Sequence, residues 1–327
     1  MTILFGFPGA GAGVHVFRIW KEKLGNAIDF QEIAYNKTYG SSYLENIKDA
    51  AEQSATQVLS YNSNEDEIYF FGHCMGAIVA YETAKLLATR NGIFIRGLFI
   101  SAFTSPDCPI EDGISHLDDL SFAKEIQSHG TFPEEFFINP SILKLFLPRI
   151  KADYKMIESY CDKDHYALNC PIAGFFGQDD GSVPPESIRG WAGYTTREFL
   201  KFYFPGDHYF YYDHQEEIIE RILALIDDFH REETGQAERS TAMEDLIIKL
   251  LAETIEKEDA AASWNSETDI INEIGVDSLQ LVRFLLKLEE QLDITFDYDQ
   301  LTFDDLATIG TLAKFLSKMT QKQNEMK

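Results

Sequence analysis

Four cysteines in 327 residues (Cys74, Cys108, Cys161 and Cys170) are too few and too scattered for a disulfide framework, and none has the CxxC spacing of a metal site. No apolar stretch approaches the roughly 18 residues that span a bilayer. The start, Met1-Thr2-Ile3-Leu4-Phe5-Gly6-Phe7-Pro8, lacks the basic leader and cleavage site of a signal peptide and runs directly into a strand pattern. A reduced, cytoplasmic protein without membrane association or bound metal is therefore expected. Basic residues are scarce as well: 28 Lys and Arg stand against 54 Asp and Glu, a formal charge of −26. From Thr241 onward there are 18 acids and 8 bases, which leaves 36 and 20 for the longer N-terminal part, so both parts are acidic. Nucleic acids and anionic membranes need basic patches, and neither is an expected partner. Such a charge suits solubility and attraction to a basic partner surface.

What the chain does have is alternation. Short apolar runs at Ile3–Phe7, Ile68–Phe71, Phe94–Ser101, Ile172–Phe176 and Phe199–Phe204 read as strands. Between and after them, Leu44–Leu59, Met75–Ala88 and Gln215–His230 are apolar at helical spacing. This rhythm predicts an α/β fold with a largely parallel sheet and helices on both faces over residues 1–230. Residues 117–166 interrupt it with consecutive helical patterns, which predicts a helical insertion: a lid, or a purely structural element. Residues 231–240 are polar, contain Gly235 and lack periodicity, so a linker is expected there. Residues 241–320 read as a separate helical unit, and 321–327 as a disordered tail.

The strand Glu67-Ile68-Tyr69-Phe70-Phe71 runs into Gly72-His73-Cys74-Met75-Gly76 and then into a helix. Strand, Gly-x-nucleophile-x-Gly, helix is the nucleophile elbow of an α/β-hydrolase, in which a sharp turn lifts one side chain above the sheet. Here that side chain is a cysteine instead of the usual serine. Taken alone, the same five residues also fit a packed turn around a buried thiol. The order of a hydrolase triad is nucleophile, acid, histidine, and the remaining pieces follow in that order. Ile172–Phe176 ends in Gly177-Gln178-Asp179-Asp180, and Phe199–Phe204 ends in Pro205-Gly206-Asp207-His208. Groups just beyond the carboxyl ends of parallel strands share one edge of the sheet. The expected triad is Cys74, Asp180 and His208, with Asp179 and His214 as weaker competitors. The oxyanion donors are expected to be the backbone N–H groups of Met75 and of Ala10, in the loop Pro8–Gly13. That loop is glycine-rich enough to be taken for a dinucleotide site, but no acidic residue closes a second strand where such a site needs one.

These motifs resemble those of type II thioesterases, the stand-alone editing hydrolases of nonribosomal peptide and polyketide assembly lines. Phe7-Pro8-Gly9-Ala10-Gly11, Gly72–Ala77, Gly177–Val183, Trp191–Thr195 and Phe204–Phe210 carry the resemblance, in order and across the whole of residues 1–230. It places the family's nucleophilic serine at Cys74, its acid at Asp180 and its histidine at His208. Two positions depart from the family pattern: Cys74 itself, and Asp207 where a glycine usually precedes the histidine.

The C-terminal unit carries Gly275-Val276-Asp277-Ser278-Leu279 ahead of an amphipathic helix over Leu279–Leu292. This looks like the attachment motif of an acyl or peptidyl carrier protein, a small four-helix bundle, and implies 4′-phosphopantetheine on Ser278 and a phosphopantetheinyl transferase as partner. Asp-Ser at a helix start also fits a plain N-cap. Leu246, Ile247, Leu250, Leu251, Leu281, Leu285 and Leu288 supply core positions, completed by Leu306 and Ile309–Leu316, and acids along the second helix suit docking to basic surfaces of a synthase module.

A cysteine nucleophile changes the energetics. Attack on a thioester by serine yields an oxyester of lower energy, whereas attack by cysteine yields another thioester. Three functions follow: a thioesterase releasing acyl groups from a carrier, which is favoured; an acyl or aminoacyl transferase between carrier domains; or a non-catalytic module that recognises a loaded carrier. Lid aromatics Phe132, Phe136 and Phe137 imply an apolar or mixed chamber.

Overall fold

The computed structural model describes residues 1–325 apart from 13, 26, 36–42, 62–65, 111, 129–136, 138–139, 298–300 and 303. Phe132 and Phe136 lie outside the described residues. The chain divides into two compact units, Met1–Phe229 and His230–Lys327.

The N-terminal unit is built on six parallel strands, β1 (Thr2–Phe7), β2 (Asp29–Glu32), β3 (Glu67–His73), β4 (Gly97–Ser101), β5 (Ile172–Gly177) and β6 (Phe199–Phe204), in spatial order β2-β1-β3-β4-β5-β6. Alternate residues of each strand feed two separate cores, as a pleat requires. Phe5, Phe7, Phe70, Leu98 and Ile172 face one side, and Leu4, Tyr69, Phe71, Phe99 and Phe175 face the other. Both faces are covered, so the central strands read as continuous apolar runs. Strand β2, the sequence Asp-Phe-Gln-Glu, has no such run; it pairs along the free edge of β1, with Phe30 opposite Leu4. Its polar residues conceal it from a periodicity argument.

Helix α1 (Ile47–Tyr61) and helix α2 (Met75–Leu86) pack with the sheet, and α2 is buried along most of its length. The 117–166 segment holds two longer helices, α3 (Asp119–Ser128) and α4 (Pro140–Glu158), which share a small core of Phe122, Ala123, Ile126, Leu147 and Ile150.

Helix α5 runs Gln215–Ile255 without a break. Residues 231–240, expected as an aperiodic linker, are therefore helical in backbone, and the boundary between the units falls inside this helix. Arg, Glu, Gln and Ala are strong helix formers, and one glycine costs only about 1 kcal/mol against them. The same physics corrects the expected disordered tail. Helix α7 (Ile309–Glu325) continues through Lys, Gln and Glu, and only 326–327 fall outside the described residues. Besides the end of α5, the C-terminal unit contains a 3-10 turn (Glu258–Ser263), α6 (Ser278–Leu292) and α7, closed around Ile247, Leu251, Phe284, Leu288, Leu312 and Leu316. Its described regular elements are helical, as expected, with one isolated bridge between Asp269 and Thr308 in the connecting segments. A fourth helix of the expected bundle is not among the described residues. No helix among them is long and apolar enough to cross a membrane.

Candidate active site

Strand register brings the loops that matter to one edge of the sheet. Phe7 lies opposite Gly72, His73 opposite Ser101, and Gly177 opposite Phe204, so the segments after β1, β3, β4, β5 and β6 all emerge together. At the end of β3 the backbone of Cys74 takes φ +53° and ψ −126°, a conformation that non-glycine residues adopt at a cost of about 1–3 kcal/mol. The surroundings hold it there. Cys74 N–H donates to the Ser101 carbonyl at 2.8 Å, and Ala77 N–H donates to the Cys74 carbonyl at 2.9 Å. The flanking glycines are needed for space: a Cβ on Gly72 would lie 2.6 Å from Ala77 Cα, and one on Gly76 would lie 2.8 Å from the Pro8 carbonyl oxygen.

His208 Nδ1 is 2.8 Å from Asp180 Oδ2, and the ring interacts electrostatically with the Cys74 thiol. With Nδ1 committed to the carboxylate, Nε2 is left for sulfur. Asp180 is nearly inaccessible, and its Oδ1 accepts from both the N–H (3.0 Å) and the hydroxyl (2.6 Å) of Ser182. Burial opposes the Asp180 charge, but His208 and Ser182 outweigh it and hold this carboxyl below its usual range. Burial likewise pulls His208 down. The interactions with Asp180 and Cys74 win, and raise it to about 10. Asp179, by contrast, is exposed. His214 pairs instead with Glu217 at 3.0 Å and rests against Phe204. The Asp207 carboxylate is spent on the N–H of Tyr209 at 2.8 Å.

Cys74, Asp180, His208 and Ala10 line one cavity of about 520 Å³, which has apolar walls at Phe103, Ile114 and Ile157 and acidic groups at Asp112 and Glu158. Helix α4 contributes Tyr154, Ile157 and Glu158 to it. Phe137 packs instead against the small core shared by α3 and α4. Met75 opens α2, so its N–H belongs to the first turn, where no intrahelical acceptor exists. Gly9 lies against Cys74; a Cβ there would be 3.2 Å from Cys74 Cβ. Ala10 shares the cavity lining with Cys74, and Met75 follows Cys74 at the head of α2. Among the described residues no group of three or more His, Cys, Asp or Glu is placed to hold a metal ion.

Three side chains at the site escaped the sequence reading. Ser182 fixes Asp180, and its place two residues beyond the acid is its only signal. His73 is buried next to the His208 ring, 3.0 Å from Ser101 Oγ and stacked on Tyr211. Burial, reinforced by His208, drives it down to about 3, so it stays neutral and puts no second charge beside the His208 ring. Tyr35 donates its hydroxyl to the Pro8 carbonyl from far along the chain. Nothing local marks either His73 or Tyr35.

In the C-terminal unit, Asp277 caps α6. Its side chain accepts from Leu279 and Gln280 N–H, both at 2.8 Å, while the Gln280 side chain accepts from Asp277 N–H at 3.0 Å. The plain capping role and the attachment motif therefore coexist. Ser278 is exposed at the first helical position, where a free hydroxyl and a helix N-terminus together suit a phosphodiester. Beside it Leu279, Val282 and Leu286 form an exposed apolar stripe.

Comparison with known proteins agrees with this geometry. Residues 2–226 match the model described as "Thioesterase domain", and residues 245–316 match "Phosphopantetheine attachment site". The gramicidin S biosynthesis protein GrsT of Aneurinibacillus migulanus is 30% identical over 66% of this chain and 86% of its own length. The thioesterase PikA5 of Streptomyces venezuelae is 28% identical over 64% of this chain and 76% of its own. The crystal structure of ClbQ, from the colibactin nonribosomal peptide and polyketide pathway, superposes with a TM-score of 0.66 at 25% identity, covering 70% of this chain and 98% of that one. The chain belongs to the thioesterase domain family, among the type II thioesterases of nonribosomal peptide and polyketide pathways, and carries a C-terminal phosphopantetheine-attachment domain.

Proposed function

We propose that the N-terminal unit releases acyl groups held as thioesters on carrier proteins, through a Cys74–His208–Asp180 triad and an acyl-S-Cys74 intermediate. The observation that carries this reading is the Asp180–His208 hydrogen bond, with its ring coupled electrostatically to Cys74 and all three residues lining one cavity. When attached at Ser278 or on another carrier, phosphopantetheine supplies a flexible arm ending in the thiol that bears the acyl group. Cys74 Sγ attacks the acyl carbon, the carbonyl oxygen takes the negative charge between the Met75 and Ala10 N–H groups, and the departing sulfur receives its proton from His208. Acylation removes the interaction with Cys74 that helps to raise His208. The ring then falls toward the value set by Asp180 and burial, and can accept a proton from water in the second step. Asp180 keeps the tautomer and orientation of the ring throughout.

A second reading, acyl or aminoacyl transfer to another carrier, is favoured by the sulfur itself, because an acyl-S-Cys74 thioester is about as reactive as the starting one. A non-catalytic carrier-recognition role is the third, and the connected triad weighs against it. Other carrier domains, synthase modules and a phosphopantetheinyl transferase are the proposed partners, with the apolar stripe on α6 suited to docking them. The reduced thiols fit a cytoplasmic setting.

The test starts with enzymatic loading of the full chain with an acyl-phosphopantetheine and follows the acyl group by intact-mass spectrometry. Free acid indicates hydrolysis, appearance on a second carrier indicates transfer, and persistence indicates the third reading. Cys74→Ala should trap the load; turnover by that variant would refute the nucleophile.

A further inference from the structure

The turn that carries Ala10 is gripped by the lid. Ala12 N–H donates to the Gly9 carbonyl at 3.2 Å, with Gly11 at φ +68° in the third position, the pattern of a type II turn. The N–H of its central peptide, that of Gly11, donates to Asp153 Oδ2 at 2.8 Å. Asp153 lies on helix α4 and is only 1% exposed. Arg149, one helical turn earlier on the same face, donates from Nη2 to the Ala12 carbonyl at 3.4 Å. The Tyr35 hydroxyl secures the Pro8 carbonyl at the other end. The lid helix thus holds the two backbone groups that flank the last peptide of the turn.

We propose that Asp153 is a positioning residue for the oxyanion hole, fixing the 10–11 peptide so that the neighbouring Ala10 N–H faces the acyl oxygen above Cys74. The lid helix is then a support of the catalytic loop as well as a wall of the chamber, and unseating it disarms the site. The proposal rests on the acyl-transfer chemistry set out above, since an oxyanion donor matters only if an acyl carbon is attacked. The physical ground is a buried carboxylate accepting from a backbone N–H, a charge-assisted bond stronger than a neutral one. Without it the Gly11 N–H is left unpaired, and a peptide followed by glycine can rotate, which carries the adjoining peptide with it. Asp153 touches no reacting atom; it acts through the turn.

The experiment compares two reactions at the same sulfur in the full chain. Acylation by an S-acyl-N-acetylcysteamine thioester passes through an oxyanion. Alkylation by iodoacetamide displaces iodide at a saturated carbon and forms none. Loss of one oxyanion donor costs about 10²–10³ in rate, so Asp153→Ala should slow acylation by roughly 10²-fold through kcat, with KM changed by less than about threefold. Alkylation of Cys74, read by peptide mapping, should stay within about threefold, which also reports an intact fold. Asp153→Asn retains a carbonyl acceptor and should recover acylation to within about tenfold of the wild type. Wild-type acylation by Asp153→Ala overturns the proposal, as does a loss of alkylation equal to the loss of acylation. If the wild type itself never acylates Cys74, the triad assignment fails first, and this inference falls with it.

Discussion

Replacing Gly76 by alanine tests the packing of the elbow and its chemistry together. A Cβ at this position would sit 2.7 Å from the Phe7 carbonyl carbon and 2.8 Å from the Pro8 carbonyl oxygen, and closer still to the Phe7 oxygen. Ordinary C···O contact begins near about 3.3 Å, and every atom in the way is backbone, so no rotamer can relieve the clash. Either the start of α2 lifts or the end of β1 moves, by about 1 Å or more to clear the Phe7 oxygen. Overpacking of this kind costs about 1–3 kcal/mol. For a unit of this size that lowers the melting temperature by about 2–4 °C per kcal/mol. The same displacement falls on Pro8, the residue before Gly9 and Ala10, and on Met75 at the head of α2. Misplacement near 1 Å can cost about 10²-fold in rate, so Gly76→Ala should lose acylation of Cys74 by more than its stability loss explains. Urea denaturation followed by fluorescence of the buried Trp20 and Trp191, alongside intact-mass kinetics of acylation, measures both. Gly193→Ala is the control, since nothing lies within 4 Å of a Cβ there, and it should change stability by less than about 0.5 kcal/mol. A Gly76→Ala protein as stable and as fast as the control would refute the argument that contact between β1 and α2 sets the elbow.

Two further outcomes follow from buried charge. The His73 pKa is depressed to about 3 in the folded state, so the stability it contributes is complete above its ordinary value of 6.5 and is lost as pH falls from there toward 3. The acid limb should steepen by roughly 1.4 kcal/mol per pH unit, and His73→Gln should flatten it in urea midpoints taken from pH 7 to pH 4; an unchanged limb rules His73 out as its cause. His208, raised to about 10, acts in the opposite sense: its contribution is full below 6.5 and disappears as pH climbs through 10. Separately, Lys85 binds Asp162 at 2.9 Å and Glu82 at 3.4 Å, and both carboxylates are buried. Lys85→Met should destabilise the protein by about 3–5 kcal/mol by stranding them, with partial recovery on adding Asp162→Asn; a change below about 0.5 kcal/mol would show that the cluster is hydrated.

The chain by itself determined whatever depends on near neighbours in sequence. The strand-to-helix elbow around Cys74, the buried strands with their continuous apolar runs, and the Asp277 cap before Ser278 are set by residues a few positions apart, so composition and spacing display them. The shared sheet edge followed as well, because parallel strands leave their carboxyl ends on one side. Tertiary structure decided the rest. The pairing of Asp180 with His208, set apart from exposed Asp179, depended on where Ser182 and the ring meet in space. His73 became a neutral floor only through burial against Tyr211, and the edge strand Asp29–Glu32 acquired its identity only by pairing with β1. Asp153 reaches Gly11 across 142 positions of chain. Hydrogen bonds and desolvation act through distance in space, and for such pairs the sequence holds the chemistry while the fold alone supplies the proximity.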